Sequence, residues 1–457
     1  MSLTASIDPT KNAFTGNPVY LSVETTSMAT YNIMYFVNFE AMRSIFTGNG
    51  NGSFKVNIAE VLETLFVDIP PLTDSSEMLI SLSDKRYNKA VVTVAIQNEE
   101  EESTYLVVTA WRGGISKRSF KKLHEKGSNI FDLKFLNESC NFFFTTRSDD
   151  WRITMRETEL YPLCFIYPEH ELKITELLTG QSLAVPGTAG NFYALNLEAV
   201  RLKFFTDYGV LANLFDVYSG DMFALRIGIE QSPTVREHYR LRFLNSYGTY
   251  EVFSLEGEAS VTPGMDEDED AVFRRYDEIT DDYYSDRIRT EIQEAVTIKT
   301  GFKRPQEIRF LLDLLSSDDV YLAGYGREEI KVIPSAEEFS YRVRPDAPQN
   351  VTLKLTFADK ESNWTGEITE SGYRKPRFIP KSLVNNLINV SYMATQEYID
   401  DLIIVIETAE DAESVTNQMV AAVLGFLNEH LKLVSQGKEV EAEEAPALPP
   451  MQHYRRL

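Results

Sequence analysis

The sequence is poor in the residues on which stapled or catalytic proteins depend. Two cysteines, Cys140 and Cys164, are too few for a disulfide framework. Both stand beside apolar residues (Phe142-Phe143-Phe144 after the first, Leu163 and Phe165-Ile166 around the second) and read as small buried hydrophobes. The five histidines, His124, His170, His238, His430 and His453, are scattered, and no HExxH or CxxC pairing accompanies them, which argues against a zinc site. GxSxG, GxxxxGK[ST] and a strand-linked GxGxxG are all missing, so no metal, cofactor or catalytic residue is expected. No apolar run approaches the roughly 18 residues of a membrane-spanning helix. Positive charge is also scarce: 45 Lys+Arg face 69 Asp+Glu, a net charge of −24. A surface of that sign repels phosphate backbones and anionic lipid, so neither nucleic acid nor membrane insertion is expected.

What is abundant is aromatic and β-branched residue. The 27 Phe and 23 Tyr suit pleated, half-buried surfaces. Runs such as Val19–Val23, Tyr31–Val37, Val91–Ile96, Tyr105–Trp111, Met222–Ile227 and Tyr239–Leu244 are short, rich in β formers and bounded by turn residues. They predict a mainly β protein of several serial sandwich- or barrel-like domains, followed by a C-terminal helical segment. Glu99–Glu102 reads as a solvated hairpin tip. The basic stretch Arg112–Lys126 reads as a solvated loop or strand edge. One helix is expected to start at Pro305, with Ile308, Leu311, Leu312 and Leu315 on its apolar face.

Composition shifts place the domains at 1–88 (an arm and a β domain), 89–178, 179–262, 263–377 (α+β) and 378–457. The sharpest boundary is acidic. Met265–Glu294 holds 12 acidic residues against 4 arginines, and Asp266–Asp270 is expected to be a surface linker between two domains, because adjacent carboxylates cannot be buried unpaired. In the last segment Val415, Met419, Val423, Phe426, Leu427 and Leu431 fall on one helical stripe. They are the candidate partner-docking residues. The stripe either packs on the chain's own last β domain or docks on a neighbouring subunit.

Three stretches have a familiar look: Thr109-Ala110-Trp111-Arg112-Gly113-Gly114-Ile115-Ser116 followed by Asn141-Phe142-Phe143-Phe144-Thr145-Thr146-Arg147; Leu241–Glu251 leading into Phe253-Ser254-Leu255-Glu256-Gly257; and Leu312–Leu322 preceding Lys331-Val332-Ile333-Pro334. In this order the sequence resembles tail-associated virion proteins of phages and prophages of gut Bacteroidales, including crAss-like phages, over roughly residues 14–365. The resemblance implies a structural protein of the tail or baseplate. Its partners would be other tail subunits, in a homo-oligomeric ring or a hetero-assembly, with a host surface glycan or receptor as a further partner. It hands over no active-site residues. Met1–Pro9 lacks the basic start and apolar core of a secretory leader, which fits synthesis and assembly in the host cytoplasm and residence in the virion tail. The alternatives are a carbohydrate-binding surface protein of such bacteria and a tail-borne glycan depolymerase. The latter needs only two well-spaced carboxylates, which spacing in sequence cannot reveal.

Overall fold

The computed structural model describes residues 3–24, 30–37, 40–47, 53–72, 76–83, 86–97, 103–147, 151–232, 238–266, 272–287, 291–324, 329–336 and 348–360. The described residues all belong to one compact unit, 1–364. The candidate docking residues Val415, Met419, Val423, Phe426, Leu427 and Leu431 therefore lie outside the described residues. So does the expected boundary at 377.

The protein is mainly β, and its sheets form serial sandwich-like layers. The first sandwich comprises β1 (Thr4–Asp8), β2 (Lys11–Phe14), β3 (Tyr20–Glu24), β4 (Thr30–Val37), β5 (Glu40–Thr47), β6 (Phe54–Asn57), β8 (Lys89–Gln97) and β9 (Ser103–Trp111), with helix α1 (Ala59–Glu63). One sheet runs β1-β3-β6 and the other β2-β9-β8-β4-β5. Alternation decides which face is buried. In β4, Tyr31, Ile33, Tyr35 and Val37 point inward and pack with Val92, Val94 and Ile96 of β8. The outward face of the same sheet keeps apolar residues too: Ile45 is 61% exposed, Tyr105 64% and Val107 62%.

The second sandwich pairs β7 (Leu79–Ser81), β11 (Leu163–Ile166) and β14 (Phe192–Leu195) in the order β11-β14-β7. Its other sheet runs β10-β16-β15-β12-β13, made of β10 (Arg152–Arg156), β12 (Leu172–Glu176), β13 (Ser182–Val185), β15 (Leu214–Ser219) and β16 (Met222–Glu230). Two α-helices lie between Trp111 and Leu214 in the chain. Helix α2 (Lys117–Glu125) begins at Ser116, whose hydroxyl accepts from the Ser119 N–H. Helix α3 (Leu197–Tyr208) is capped by Asn196, whose Oδ1 accepts from the Glu198 and Ala199 N–H groups, and it ends at Gly209 with φ +69. Val200 and Phe204 of α3 close the core over Phe215.

The third is a seven-stranded antiparallel sheet, β18-β17-β23-β24-β25-β22-β19. Its strands are β17 (Tyr239–Leu244), β18 (Tyr250–Leu255), β19 (Ala259–Asp266), β22 (Glu291–Lys303), β23 (Val320–Ala323), β24 (Ile330–Ser335) and β25 (Gln349–Phe357). Helix α4 (Pro305–Leu315) starts where the sequence places it and packs against the sheet through Ile308, Phe310, Leu311 and Leu314. Phe310 meets Phe243 and Phe253 at ring distances of 5.1 and 6.0 Å.

Strand pairing moves the composition-based boundaries. The break at 88/89 fails because β8, beyond it, pairs with β4 before it, Tyr35 opposite Val94. The break at 178/179 falls inside the β12–β13 hairpin, and that at 262/263 inside β19. The acidic segment is not a linker between domains. β19 and β22 on either side of it pair directly, from Ala259↔Ile298 to Asp266↔Glu291. Between them β20 (Val272–Asp277) and β21 (Asp282–Arg287) form a further two-stranded hairpin. The segment is thus an arm growing out of the third sheet; Asp266 ends β19, and 267–270 lie outside the described residues. The basic stretch is likewise no loop or strand edge, since Lys117–Glu125 is helical.

Candidate functional site

Parts of all three sequence stretches that carry the resemblance meet at one place, the junction of the three sandwiches. Trp111 ends β9 and is followed by Gly113 with φ +94, a conformation open to glycine and costly for other residues. The space around Gly113 makes the same demand. A β-carbon there would lie 2.5 Å from Gly248 N, Ser246 O and Tyr247 C. Gly248, with φ +76, is its counterpart in the β17–β18 turn, and a β-carbon on it would lie 2.4 Å from Arg112 O. First and third sandwiches thus touch backbone to backbone. Hydrogen bonds fix the contact: the Gly114 N–H donates to Ser246 O at 2.6 Å, and Asn88 Nδ2 donates to Gly248 O.

The turn that offers Gly248 is held by its own side chains. Asn245 Oδ1 accepts from the Tyr247 and Thr249 N–H groups at 3.0 and 3.1 Å. Asn245 Nδ2 and the Thr249 hydroxyl both donate to Phe144 O in the second sandwich, at 2.9 and 2.7 Å. Asp313 on α4 receives Thr146 Oγ1 at 2.6 Å and the Ser246 N–H at 3.1 Å.

Around this polar hinge lies an aromatic cluster drawn from all three sandwiches. Phe14 and Trp111 come from the first, Phe131, Phe135, Phe144 and Phe192 from the second region, and Tyr247 from the third. Phe135 stacks on Phe144 at 4.1 Å, Tyr247 meets Phe135 edge-on at 5.1 Å, and Lys134 sits 4.7 Å over the Tyr247 ring. Such rings contribute area burial plus about 0.5–1.5 kcal/mol per well-oriented pair. Cys164 lies in this cluster, where burial pushes its thiol pKa up. In the native protein a thiol reagent should therefore modify the half-buried Cys140 and reach Cys164 only after unfolding. Rapid native modification of Cys164 would mean that the junction opens.

A charge network seals the second sandwich to the third. Arg147 binds Glu159 through Nη1 at 2.6 Å, its Nε lies 3.8 Å from Glu251, and its guanidinium carbon stands 4.0 Å over the Phe310 ring. Glu159 also accepts from the Ser254 N–H and hydroxyl at 2.9 and 3.0 Å. Arg156 binds Glu256 and, at 3.0 Å, Glu307, while Lys303 stands 3.6 Å from Glu256. Burial acts to raise the Glu159 pKa, yet Arg147, Lys303 and the Ser254 N–H hold it down to about 2. For Glu251 burial wins over Arg147, and its pKa is raised. Burial likewise lowers the Lys303 pKa against the pull of Glu159 and Glu256. Perturbed groups of this kind can mark an active site. Here their side chains are almost wholly buried, and none lines the two clefts described below. The arrangement ties the second sandwich to the third as a charge lock.

The larger cleft, about 520 Å³ in the second sandwich, is lined by Glu138, Tyr167, Glu169 and apolar neighbours. Glu138 receives the Ser219 hydroxyl, His170 Nδ1 at 2.8 Å and the Glu169 N–H at 2.9 Å. Burial would raise its pKa, but these bonds outweigh burial and leave it lowered. A nucleophilic triad needs the imidazole against the hydroxyl. In this trio the carboxylate stands between them, so His170 cannot take the Ser219 proton. Held ionised, Glu138 is also a poor proton donor. No group of three or more His, Cys, Asp or Glu among the described residues could hold a metal ion.

The lock was invisible in sequence because its charges come from segments far apart along the chain, Arg147, Arg156 and Glu159 meeting Glu251, Glu256, Lys303 and Glu307. Of the three tryptophans, Trp111 is buried in the aromatic cluster, Trp151 is 53% exposed, and Trp364 lies outside the described residues.

The sequence matches no protein-family model and no curated protein. Among solved structures it has a likeness to the periplasmic chaperone SfaE, with 10% identity over 50% of this chain and 100% of that one, at a TM-score of 0.16. A 1.5-MDa bacterial ice-binding adhesin gives 10% identity over 67% and 94%, at 0.13. The SGBP-B protein of a Bacteroides ovatus mixed-linkage glucan utilization locus gives 9% over 66% and 65%, at 0.15. Scores of this size carry no argument about fold or function.

Proposed function

We propose that this chain is a structural subunit of a bacteriophage tail or baseplate, acting by being built into an assembly and not by turnover. The observation that carries the reading is that residues of all three resembling stretches meet at the junction of the three sandwiches. A motif maintained for catalysis would gather around a cleft. These residues gather where three β layers are fixed to one another, which is what a load-carrying part requires. The exposed apolar residues Ile45, Tyr105 and Val107 on the outer face of the first sandwich support it further, because such patches mark protein–protein contacts.

Purified virions of a gut Bacteroidales phage encoding this chain should contain it in fixed ratio to other tail proteins, as measured by quantitative mass spectrometry. Its absence from virions, with recovery from the host envelope, would overturn the reading in favour of a glycan-binding surface protein. Purified protein should release no reducing sugar from host capsular polysaccharide. Turnover abolished by replacing one carboxylate, for example Glu138→Gln, would establish a depolymerase instead.

A further inference from the structure

We propose that the tip of the β20–β21 arm docks on helix α2 of a second copy of this chain, which deepens the assembly reading above and rests on it. The two surfaces are complementary in charge and in shape. At the tip, Ile279 is 94% exposed, an unusual position for a large aliphatic side chain. The tip is nonetheless built, not slack. Asp277 accepts from the Ile279 N–H at 3.0 Å and from Thr280 Oγ1 at 2.9 Å. Tyr276 and Tyr283 pair across the hairpin at 5.2 Å, and the Tyr276 hydroxyl donates to Asp281. Glu278, Asp281 and Asp282 surround the isoleucine and are exposed.

The counterpart is on α2. Lys117, Arg118, Lys121, Lys122 and Lys126 are exposed along and just beyond the helix. Among the described residues only Lys121 has a carboxylate partner, Glu125 at 3.9 Å. At the base of the helix opens a cleft of about 230 Å³ whose apolar wall is Ile115, Phe120, Leu123 and Ile130. Its own acids, Asp8 and Asp132, are outnumbered by the helix cations, and Asp8 pairs with His124 at 3.5 Å. An isolated Ile ringed by carboxylates fits an apolar cleft flanked by lysines. The chain as a whole is acidic, so a basic helix on a −24 protein is the natural receiver for the arm of an identical neighbour. Tip and helix are different patches, so the contact is heterologous and propagates head to tail, closing a ring or extending a tube.

Sedimentation velocity of the full chain over a concentration series tests this. Wild type should self-associate at low salt, and at least tenfold less tightly at about 1 M salt, where the screening length is about 3 Å. Glu278→Lys with Asp282→Lys leaves the Asp277 and Asp281 turn bonds intact and should weaken association at least tenfold. Lys117→Glu with Lys122→Glu should do the same. All four changes in one chain restore opposite signs across the contact and should recover association. Circular dichroism and melting temperature, unchanged in each variant, show that folding is not the cause. A monomer at every concentration, association untouched by the tip variant, or no recovery in the four-fold variant would each overturn the contact. None of these bears on whether the chain is found in virions, which the mass-spectrometric test decides separately.

Discussion

Gly113→Val and Gly248→Val should each destabilise the protein by about 4 kcal/mol or more, among the largest effects of any single substitution outside the sandwich cores. Two costs combine. A β-branched residue at φ +94 or +76 is strained by at least about 1–3 kcal/mol. The added carbons would also overlap backbone on the other side of the junction, at 2.4–2.5 Å, and backbone cannot rotate away as a side chain can. Gly180 supplies the control. Its φ is +70, but nothing lies within 4 Å of where its β-carbon would be. Gly180→Ala should therefore cost only about 1 kcal/mol, the conformational term alone. Denaturant midpoints of the three variants separate close approach from backbone strain. If the Gly113 and Gly180 variants lost equal stability, the junction would not be the tight contact described.

Cutting the charge lock should have the second largest effect. Arg147→Met removes the cation shared by Glu159 and Glu251 and leaves two buried carboxylates short of their partner. Breaking such a pair from one side costs about 3–5 kcal/mol, more than the intact pair is worth against an apolar replacement. The pH dependence carries a sign. Glu159 has a folded pKa of about 2 against an ordinary 4.5, so it favours folding when ionised. Its contribution is complete above about pH 4.5 and is lost as pH falls towards 2. Glu251, raised by burial, acts in the opposite sense: it favours folding while protonated and loses that contribution as pH rises through its folded pKa. Unfolding free energy measured from pH 7 to 2 should therefore fall on the acid side in wild type. In Glu159→Gln it should start lower and fall less steeply. An acid limb of identical slope in the two proteins would remove Glu159 from the lock.

Much of the fold was legible because local chemistry and tertiary placement agree. Pro305 and the Ile308/Leu311 face located α4, and the β-former run Tyr31–Val37 located β4. The failures have physical causes. Helix α2 escaped because only Phe120 and Leu123 among its nine residues supply an apolar side, beneath a dense run of cations. Helix α3 was hidden by the β-forming run before it. The Asn196 cap and Gly209 stop were its available signals. The acidic arm looked like a linker because charge density says that a segment is solvated, not that the strands on either side of it pair. In the junction, Gly113-Gly114 taken by itself signals no more than a turn. The demand for glycine arises from Gly248, in another sandwich, and no local pattern encodes that approach.

Electron cryo-microscopy of phage tails bears most directly on the proposal of a tail subunit whose sandwiches are locked together. The three sandwiches should fit the density as a single rigid body, repeated about the tail axis, with the Gly113–Gly248 contact and the Arg147–Glu159 pair intact in every copy. Tails that lack the chain, or density that requires the sandwiches to hinge apart at Gly113 and Gly248, would contradict it.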